Sequence, residues 1–227
     1  MSMKLHAHKV STTSRPVLMF IADNKIDAEL VVVDLMTGEH VKEPYSKLNP
    51  SKQVPLLVDG DFMLTESSAI LKYLADKIGS PAYPKDLKKR AKVNEMMDWL
   101  NTGFYREWGY HLIYPQIYPH HKRPTEESNR ITAEWGKTQS EFWLGVLNDH
   151  WLGKGNKYLC GDDLTIADYF GAGIVTAGEL AHVNFGKYPN IKKWIDRVKA
   201  FPCWAQVNDV HNGYAASLKG KVPVTIS

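Results

Sequence analysis

The chain has 227 residues, of which 44% are hydrophobic and 23% are charged, and its formal net charge is +3. This composition predicts a soluble globular protein and excludes a wholly disordered one, because low hydrophobicity and high net charge are both missing. A charge this small does not indicate a general nucleic-acid surface, which needs clustered basic residues. At about 150 residues per domain, the length fits one large domain or two small ones.

The sequence also predicts where the protein resides. No run of about 18 apolar residues occurs, so no transmembrane helix is predicted. Residues 1–6 lack the apolar core of a signal peptide. The two cysteines, Cys160 and Cys203, cannot form a disulfide framework or a four-thiolate zinc site, and free thiols suit a reducing compartment. We therefore expect a cytoplasmic protein.

Short strand patterns alternate with helical patterns at the start of the chain. The predicted strands are Leu5–His8, Glu29–Asp34, Val54–Val58 and Phe62–Leu64, and the predicted helices are Ser14–Asn24 and Glu66–Ile78. Asp59-Gly60 between two apolar runs indicates a hairpin turn. This order predicts a small mixed sheet with helices on its faces.

The turn-forming residues of Gly79–Pro84 indicate a domain boundary. Beyond them the patterns are helical, at residues 87 to about 114, 126–152, 165–180 and 190–200. We therefore predict an N-terminal domain of residues 1–79, a linker of residues 80–86 and an all-helical domain of residues 87–227.

Serine and threonine residues fill the loop between the first strand and the first helix, residues 11–14, ahead of Arg15 and Pro16. A hydroxyl there could donate a hydrogen bond to a ligand thiolate, and the positive end of the helix dipole would add to the stabilisation. The alternative is a simple helix cap, for which Ser14 is suitably placed before Pro16.

Two further motifs could bind a peptide-like ligand. A cis Val54–Pro55 bond would expose the Val54 N–H and C=O, with which an extended peptide could pair as an added strand. Glu66 and Ser67 stand at a helix start, where free N–H groups attract a carboxylate while Glu66 accepts from an ammonium group. The alternatives are a strand edge that ends at proline and an ordinary N-cap.

The remaining motifs indicate structure rather than chemistry. Thr165 and Asp168 have the spacing of a capping box at a helix start. The nine histidines form no metal-binding motif, so no metal site is predicted. The aromatic run from Phe104 to Tyr118 is typical of core packing, although it could also line an apolar pocket.

Taken in order, Val54-Pro55, Glu66-Ser67 and Thr165–Asp168 resemble the motifs of the cytosolic glutathione transferases, over nearly the whole chain. The chain is most similar to the theta class, and to its bacterial members, at residues 33–40, 48–55, 59–67 and 83–87. The spacing from Ser11 to Arg15 also suits theta and differs from that of the zeta class.

The resemblance implies an α/β plus all-α fold: an N-terminal thioredoxin-like domain with a mixed four-stranded sheet, and a C-terminal all-helical domain. It implies glutathione as co-substrate and a homodimer. Ser11 would donate a hydrogen bond to the glutathione sulfur, with Ser14 as its rival. The other glutathione-binding residues would be His40, Lys52, Gln53, Val54, Pro55, Glu66 and Ser67. Tyr105, Trp108 and His111 would line the electrophile pocket.

The activity so implied is detoxification by conjugation of glutathione to small apolar electrophiles, with haloalkanes as one candidate. Two alternatives stay open: glutathione-dependent reduction of disulfides or peroxides, and a non-catalytic binding module. The chain also departs from the family pattern. Asn101-Thr102 replaces an acidic residue of some theta members, and the first loop has no cysteine, which disfavours the classes that form a mixed disulfide there.

Overall fold

The computed structural model describes residues 3–227. Its first part contains a four-stranded sheet in the order β2-β1-β3-β4. The strands are β1 (Met3–Ala7), β2 (Ala28–Val32), β3 (Leu56–Asp59) and β4 (Phe62–Leu64). β1 and β2 are parallel, whereas the β1–β3 and β3–β4 pairs are antiparallel. The predicted mixed sheet is confirmed.

Three helices accompany the sheet: α1 (Ser14–Asp23), α2 (Tyr45–Leu48) and α3 (Ser67–Lys77). Successive residues of β3 point to opposite faces of the sheet, so each face has its own core. Leu57 packs into the main core, which includes residues of α1 and α3, and Leu56 packs with Tyr45 and Val54 on the other face. Val54, which ends the loop before β3, is therefore held by buried contacts.

The rest of the described chain is helical. Its α-helices are α4 (Leu87–Asp98), α5 (Tyr114–Ile117), α6 (Glu126–Val146), α7 (Ile166–Thr176), α8 (Pro189–Lys199) and α9 (Trp204–Ser217). Within residues 3–227, no helix is long and apolar enough to cross a membrane. The predicted linker, residues 80–86, lies between α3 and α4, and its bounds stay a prediction.

The helical boundaries differ from the prediction in two ways. The segment from residue 87 to about 114 is not one α-helix, because α4 ends at Asp98 and two π-helical segments, Trp99–Phe104 and Arg106–Ile113, follow it. The sequence analysis did not predict helix α9, because its Asn and Gly residues have low helix propensity. They also interrupt the apolar pattern that would indicate a buried helix face. Burial of Trp204, Val207 and Ala215 stabilises it nevertheless.

The predicted capping box at the start of α7 is confirmed. The Asp168 carboxylate accepts hydrogen bonds from the Thr165 N–H at 2.9 Å, the Leu159 N–H at 2.8 Å and Trp194 Nε1 at 3.0 Å. Three buried donors thus fix the start of α7, the helix on which α1 packs. A side chain at Gly173 of α7 would place its Cβ 2.5 Å from the Thr12 carbonyl oxygen, so α7 lies against the backbone of the loop just before α1.

Arg15 joins the two halves of the molecule. Its side chain is fully buried and donates to the Gly173 carbonyl at 2.8 Å, Thr176 Oγ1 at 3.0 Å and Asn208 Oδ1 at 2.8 Å. Burial lowers the pKa of Arg15 to about 10, so the guanidinium stays charged at neutral pH. These bonds fasten the start of α1 to α7 and α9.

Candidate active site

A cavity of about 540 Å³ opens between the sheet and the helical part. All residues predicted to bind glutathione line it: Ser11, His40, Lys52, Gln53, Val54, Pro55, Glu66 and Ser67. They reach the cavity from the loop before α1, the loops before α2 and β3, and the start of α3. The structure thus brings together residues that are up to 56 positions apart, from Ser11 to Ser67.

The Ser11 hydroxyl lies at the start of α1 and is 9% exposed as a residue. Its Oγ accepts a hydrogen bond from the Ser14 N–H at 3.2 Å and lies 3.2 Å from Thr13 Oγ1. The only hydrogen of the Thr13 hydroxyl is used at 3.0 Å on the Val54 carbonyl, so Ser11 is the donor in the pair with Thr13. Ser11 therefore caps the helix and has a hydrogen that it can redirect to a ligand.

Ser14 is placed differently. It is fully buried and is not part of the cavity wall. Its Oγ has no hydrogen-bond partner among residues 3–227. The expectation that Ser14 rivals Ser11 as a donor to the ligand is therefore corrected, because the helix turn directs the two hydroxyls to different places.

The backbone around Val54 presents polar groups to the cavity. The Val54–Pro55 bond is cis, as the sequence analysis considered. The Gln53 carbonyl accepts from the Tyr45 hydroxyl and from Asn49 Nδ2, which holds the loop. The Val54 carbonyl accepts from Thr13 and keeps a second lone pair for a ligand N–H.

Glu66 and Ser67 form the start of α3, and both belong to the cavity lining. Glu66 has a φ of +63° and makes no capping hydrogen bond through its side chain, which is exposed. Ser67 is the first residue of α3 and is buried. The alternative of an ordinary N-cap is not what the structure shows, and the positive φ of Glu66, a non-glycine residue, places backbone strain at the cavity lining.

Histidines from both halves meet at the cavity. The His40 and His120 ring centroids are 5.8 Å apart, and those of His120 and His121 are 4.4 Å apart. Burial, followed by the charge of His120, lowers the pKa of His40, and burial lowers the pKa of His121 to about 4. His40 Nδ1 is buried without a partner in the described chain. No group of His, Cys, Asp or Glu within residues 3–227 is arranged to hold a metal ion.

Tyrosines dominate the helical wall, which contains Tyr105, Tyr110, Tyr114 and Tyr118. Tyr105 lines the cavity as expected, but Trp108 and His111 do not. Trp108 is fully buried and donates to the Ile174 carbonyl at 2.9 Å, and His111 Nδ1 lies 2.7 Å from Glu107 Oε2. The prediction for Trp108 and His111 is therefore wrong about their place. It assumed α-helical spacing, whereas π-helical turns are wider and bring positions four or five apart to one face.

The sequence matches known families over most of its length. The model of the glutathione S-transferase N-terminal domain matches residues 1–76, and that of the C-terminal domain matches residues 122–202. Human glutathione S-transferase theta-1 is 33% identical over 208 residues, which cover 88% of this chain and 83% of the relative. The chain belongs to the glutathione S-transferase family. It is a glutathione transferase, with glutathione as its co-substrate, and it resembles the theta class.

Solved structures agree with this assignment. Human glutathione transferase theta-2, in complex with glutathione and an unknown ligand, is 30% identical with a TM-score of 0.82, covering 98% of this chain and 93% of that chain. A diazinon-metabolizing glutathione S-transferase of the silkworm Bombyx mori is 29% identical with a TM-score of 0.79, covering 95% and 99%. The glutathione transferase fold is thereby confirmed.

Sequence reasoning missed several residues of the cavity lining. Thr12 and Thr13 line it beside Ser11, and Asn49 lines it beneath the Val54 loop. The run of hydroxyl residues at 11–14 contained this signal, but only the folded turn shows which hydroxyls face the cavity. Tyr110 and Tyr114 belong to the aromatic run that could line a pocket. The steps of five residues from Tyr105 to Tyr110 and of four from Tyr110 to Tyr114 reflect the π-helical turns.

Proposed function

We propose that the cavity holds glutathione with its sulfur beside Ser11, that the Ser11 hydroxyl stabilises the thiolate, and that the thiolate attacks a small apolar electrophile. In this step the carbon–sulfur bond forms, the bond to the leaving group breaks, and the leaving group departs with the electron pair. A hydrogen bond to the charged form lowers the pKa of a thiol. Holding both reactants in one cavity adds the effect of proximity.

The observation that carries this proposal is the Ser11 hydroxyl hydrogen, which can turn from Thr13 to a ligand. Its Oγ already accepts from the Ser14 N–H, and its own hydrogen points to a neighbour whose donor is used elsewhere. Glutathione would then lie along the wall, its cysteinyl backbone on Val54, its γ-glutamyl end at Glu66 and Ser67, and its glycine end at His40, Lys52 and Gln53.

The cavity supports conjugation over reduction. Cys160 and Cys203 both lie outside its lining, so no protein thiol of the described chain is placed to form a mixed disulfide with glutathione. Four tyrosine rings on the helical wall favour a small apolar electrophile, and haloalkanes fit that description. Detoxification of such compounds is the biological role we propose.

We also propose a homodimer in the cytoplasm. Phe62 and Met63, on the edge strand β4, and Trp135 and Phe142, on α6, are 44%, 52%, 58% and 62% exposed, and large exposed apolar side chains are typical of contact surfaces. Both cysteines are free, which suits a reducing compartment. Sedimentation equilibrium of the whole chain tests the dimer, and a monomer at all concentrations would contradict it.

The test of the catalytic proposal is an ultraviolet difference titration of bound glutathione against pH. The absorbance of the thiolate reports the pKa of the bound thiol, in the wild type, Ser11→Ala and Ser14→Ala. We expect a bound pKa well below that of free glutathione, raised in Ser11→Ala and unchanged in Ser14→Ala. An unshifted pKa in the wild type, with normal glutathione binding, would contradict thiolate activation.

A further inference from the structure

A directed chain of hydroxyl groups ends next to Ser11. The hydroxyls of Tyr105 and Tyr114 lie 2.5 Å apart, and the Tyr114 hydroxyl donates to Thr12 Oγ1 at 2.7 Å. A tyrosine hydroxyl has one hydrogen, so Tyr114, which gives its hydrogen to Thr12, accepts from Tyr105. The chain therefore runs from Tyr105 through Tyr114 to Thr12.

The last hydroxyl of this chain has a hydrogen to give. Within residues 3–227, Thr12 Oγ1 makes one hydrogen bond, which it accepts from the Tyr114 hydroxyl. This bond uses a lone pair of the Thr12 oxygen and leaves the Thr12 hydrogen unused. The Thr12 hydroxyl hydrogen is therefore free to point at a ligand. Thr12 is 3% exposed and belongs to the lining of the same cavity as Ser11.

Both tyrosines are suited to remain donors. They are buried, at 6% exposure each, and burial raises the pKa of Tyr114 to about 12 and that of Tyr105 well above its ordinary value. Each donated bond polarises the next hydroxyl in a chain, so that the final group becomes a stronger donor. In a buried site such a bond to an anion is stronger than one between neutral groups.

We propose that Thr12 is a second hydrogen-bond donor to the glutathione thiolate, and that Tyr114 and Tyr105 are positioning residues that orient and polarise its hydroxyl. This inference rests on the proposed function, because it assumes that glutathione places its sulfur at the start of α1. It differs from the expectation drawn from the sequence, in which the hydroxyl of Ser11 or Ser14 acts alone. The helical wall then takes part in thiolate activation as well as in holding the electrophile.

The experiment is the same difference titration with Thr12→Val and Thr12→Ser. Valine keeps the shape of threonine without the hydroxyl, and serine keeps the hydroxyl without the methyl group. A hydrogen bond to a charged group is worth about one pKa unit. We therefore expect that, at a pH below the bound pKa, the ionised fraction of bound glutathione is about tenfold lower in Thr12→Val than in the wild type. In Thr12→Ser this fraction should match the wild type.

Two controls separate the hydroxyl from packing. S-methylglutathione has no ionisable thiol, so its dissociation constant should be equal in the wild type, Thr12→Val and Thr12→Ser. The other titratable side chains of the lining stay unchanged in these variants, namely the four tyrosines together with His40, Lys52, Glu66, Arg106, His120 and His121. Tyr114→Phe removes the donor to Thr12 and should raise the thiol pKa by a smaller amount than Thr12→Val does. This variant tests the hydroxyl chain even where Thr12→Val fails to fold.

The outcomes distinguish this inference from the proposed function. An unchanged thiol pKa in Thr12→Val, with a raised one in Ser11→Ala, would overturn the role of Thr12 and leave the function standing. An equal rise in Thr12→Val and Thr12→Ser would assign the effect to packing and also overturn it. An unchanged pKa in Tyr114→Phe would overturn the relay. A wild-type thiol without any shift would overturn the proposed function itself.

Discussion

The two walls of the cavity differ in how their side chains are placed. On the sheet side, Val54 stands in a loop, Ser11 at one helix start, and Glu66 at another, and local backbone geometry decides what each group faces. On the helical side, the tyrosines stand in the middle of a long segment, where the turn of the helix decides which residues share a face. Short sequence motifs are therefore enough to place the side chains of the sheet-side wall, whereas those of the helical wall depend on the helix geometry.

The π-helical segments show why this matters. In an α-helix, Tyr105, Trp108 and His111 would lie along one face, since residues three and four apart are neighbours. In the wider turns of residues 106–113, Tyr105 is instead joined at the cavity by Tyr110 and Tyr114. One more residue in each hydrogen-bonded turn thus exchanges the buried and the cavity-facing positions of this wall.

Arg15 is the point where the two walls are joined, and its loss should have the largest effect. Arg15→Met would leave the Gly173 carbonyl, Thr176 Oγ1 and Asn208 Oδ1 buried without their donor. Each buried acceptor left unpaired costs about 1 to 3 kcal/mol, so we expect the free energy of unfolding to fall by at least about 3 kcal/mol. Urea denaturation followed by fluorescence measures this loss.

The matched control for Arg15 is Arg130→Met. Arg130 pairs with Glu134 at 2.6 Å on the surface of α6, where both side chains are more than half exposed. Exposed ion pairs contribute about 0 to 1 kcal/mol, so this variant should be close to the wild type. Similar losses in both variants would contradict the view that Arg15 holds the two walls together.

His211, on the helix that the sequence analysis missed, should make the joint sensitive to pH. It is fully buried, and both ring nitrogens lack hydrogen-bond partners in the described chain. Nε2 lies 3.8 Å from Glu179, which also pairs with Lys199, and buried Arg15 faces the same cluster. Burial, followed by the charge of Arg15, lowers the pKa of His211 to about 4.

Because the pKa of His211 is lower in the folded protein than the ordinary 6.5, the unfolded chain binds more protons between these values. Stability is therefore complete above the unfolded pKa and falls as the pH drops from about 7 to about 4, by about 3 kcal/mol in total. Urea denaturation across this range should show a shallower decline in His211→Gln. The exposed His150→Gln serves as control, and an equal slope in His211→Gln and the wild type would refute the assignment.

The sequence predicted the elements and motifs that depend on neighbouring residues. The capping box of Thr165 and Asp168 and the hairpin at Asp59-Gly60 were predictable because their hydrogen bonds close within a few positions. The contact between Arg15 and Asn208 was not, because it joins residues 193 positions apart. The chain of Tyr105, Tyr114 and Thr12 likewise needs the helical phase and the packing of α1 on α7, and no short pattern carries either.

Helix α6 offers a way to disturb the tyrosine wall alone. A Cβ at Gly136 would lie 2.5 Å from the Leu112 backbone nitrogen, inside the π-helical segment that follows Tyr105. Because a backbone atom cannot move aside as a flexible side chain can, we expect Gly136→Ala to cost about 1 to 3 kcal/mol. The displaced segment should raise the KM for the electrophile more than the dissociation constant of glutathione.

Gly145 on the same helix is the control for this variant. Nothing lies within 4 Å of a Cβ built there, and alanine has a higher helix propensity than glycine. Gly145→Ala should therefore be more stable by about 0.5 to 1 kcal/mol with unchanged kinetics. If Gly136→Ala weakened glutathione and electrophile binding equally, the two walls would not be separable in this way.

The smallest effect is expected at Ser14, whose unused hydroxyl is buried outside the cavity lining. Ser14 Oγ is buried without a partner, and an unsatisfied buried hydroxyl gives no net stabilisation, so Ser14→Ala should be neutral or more stable by up to about 1 kcal/mol. Urea denaturation checks the stability, and the thiol titration should give the wild-type pKa. The matched variant is Ser11→Ala, three positions away on the same turn, in which the pKa of the bound thiol should rise. A raised thiol pKa in Ser14→Ala would mean that α1 starts with a different phase in solution, and the assignment of the sheet-side wall would then fail at its first residue.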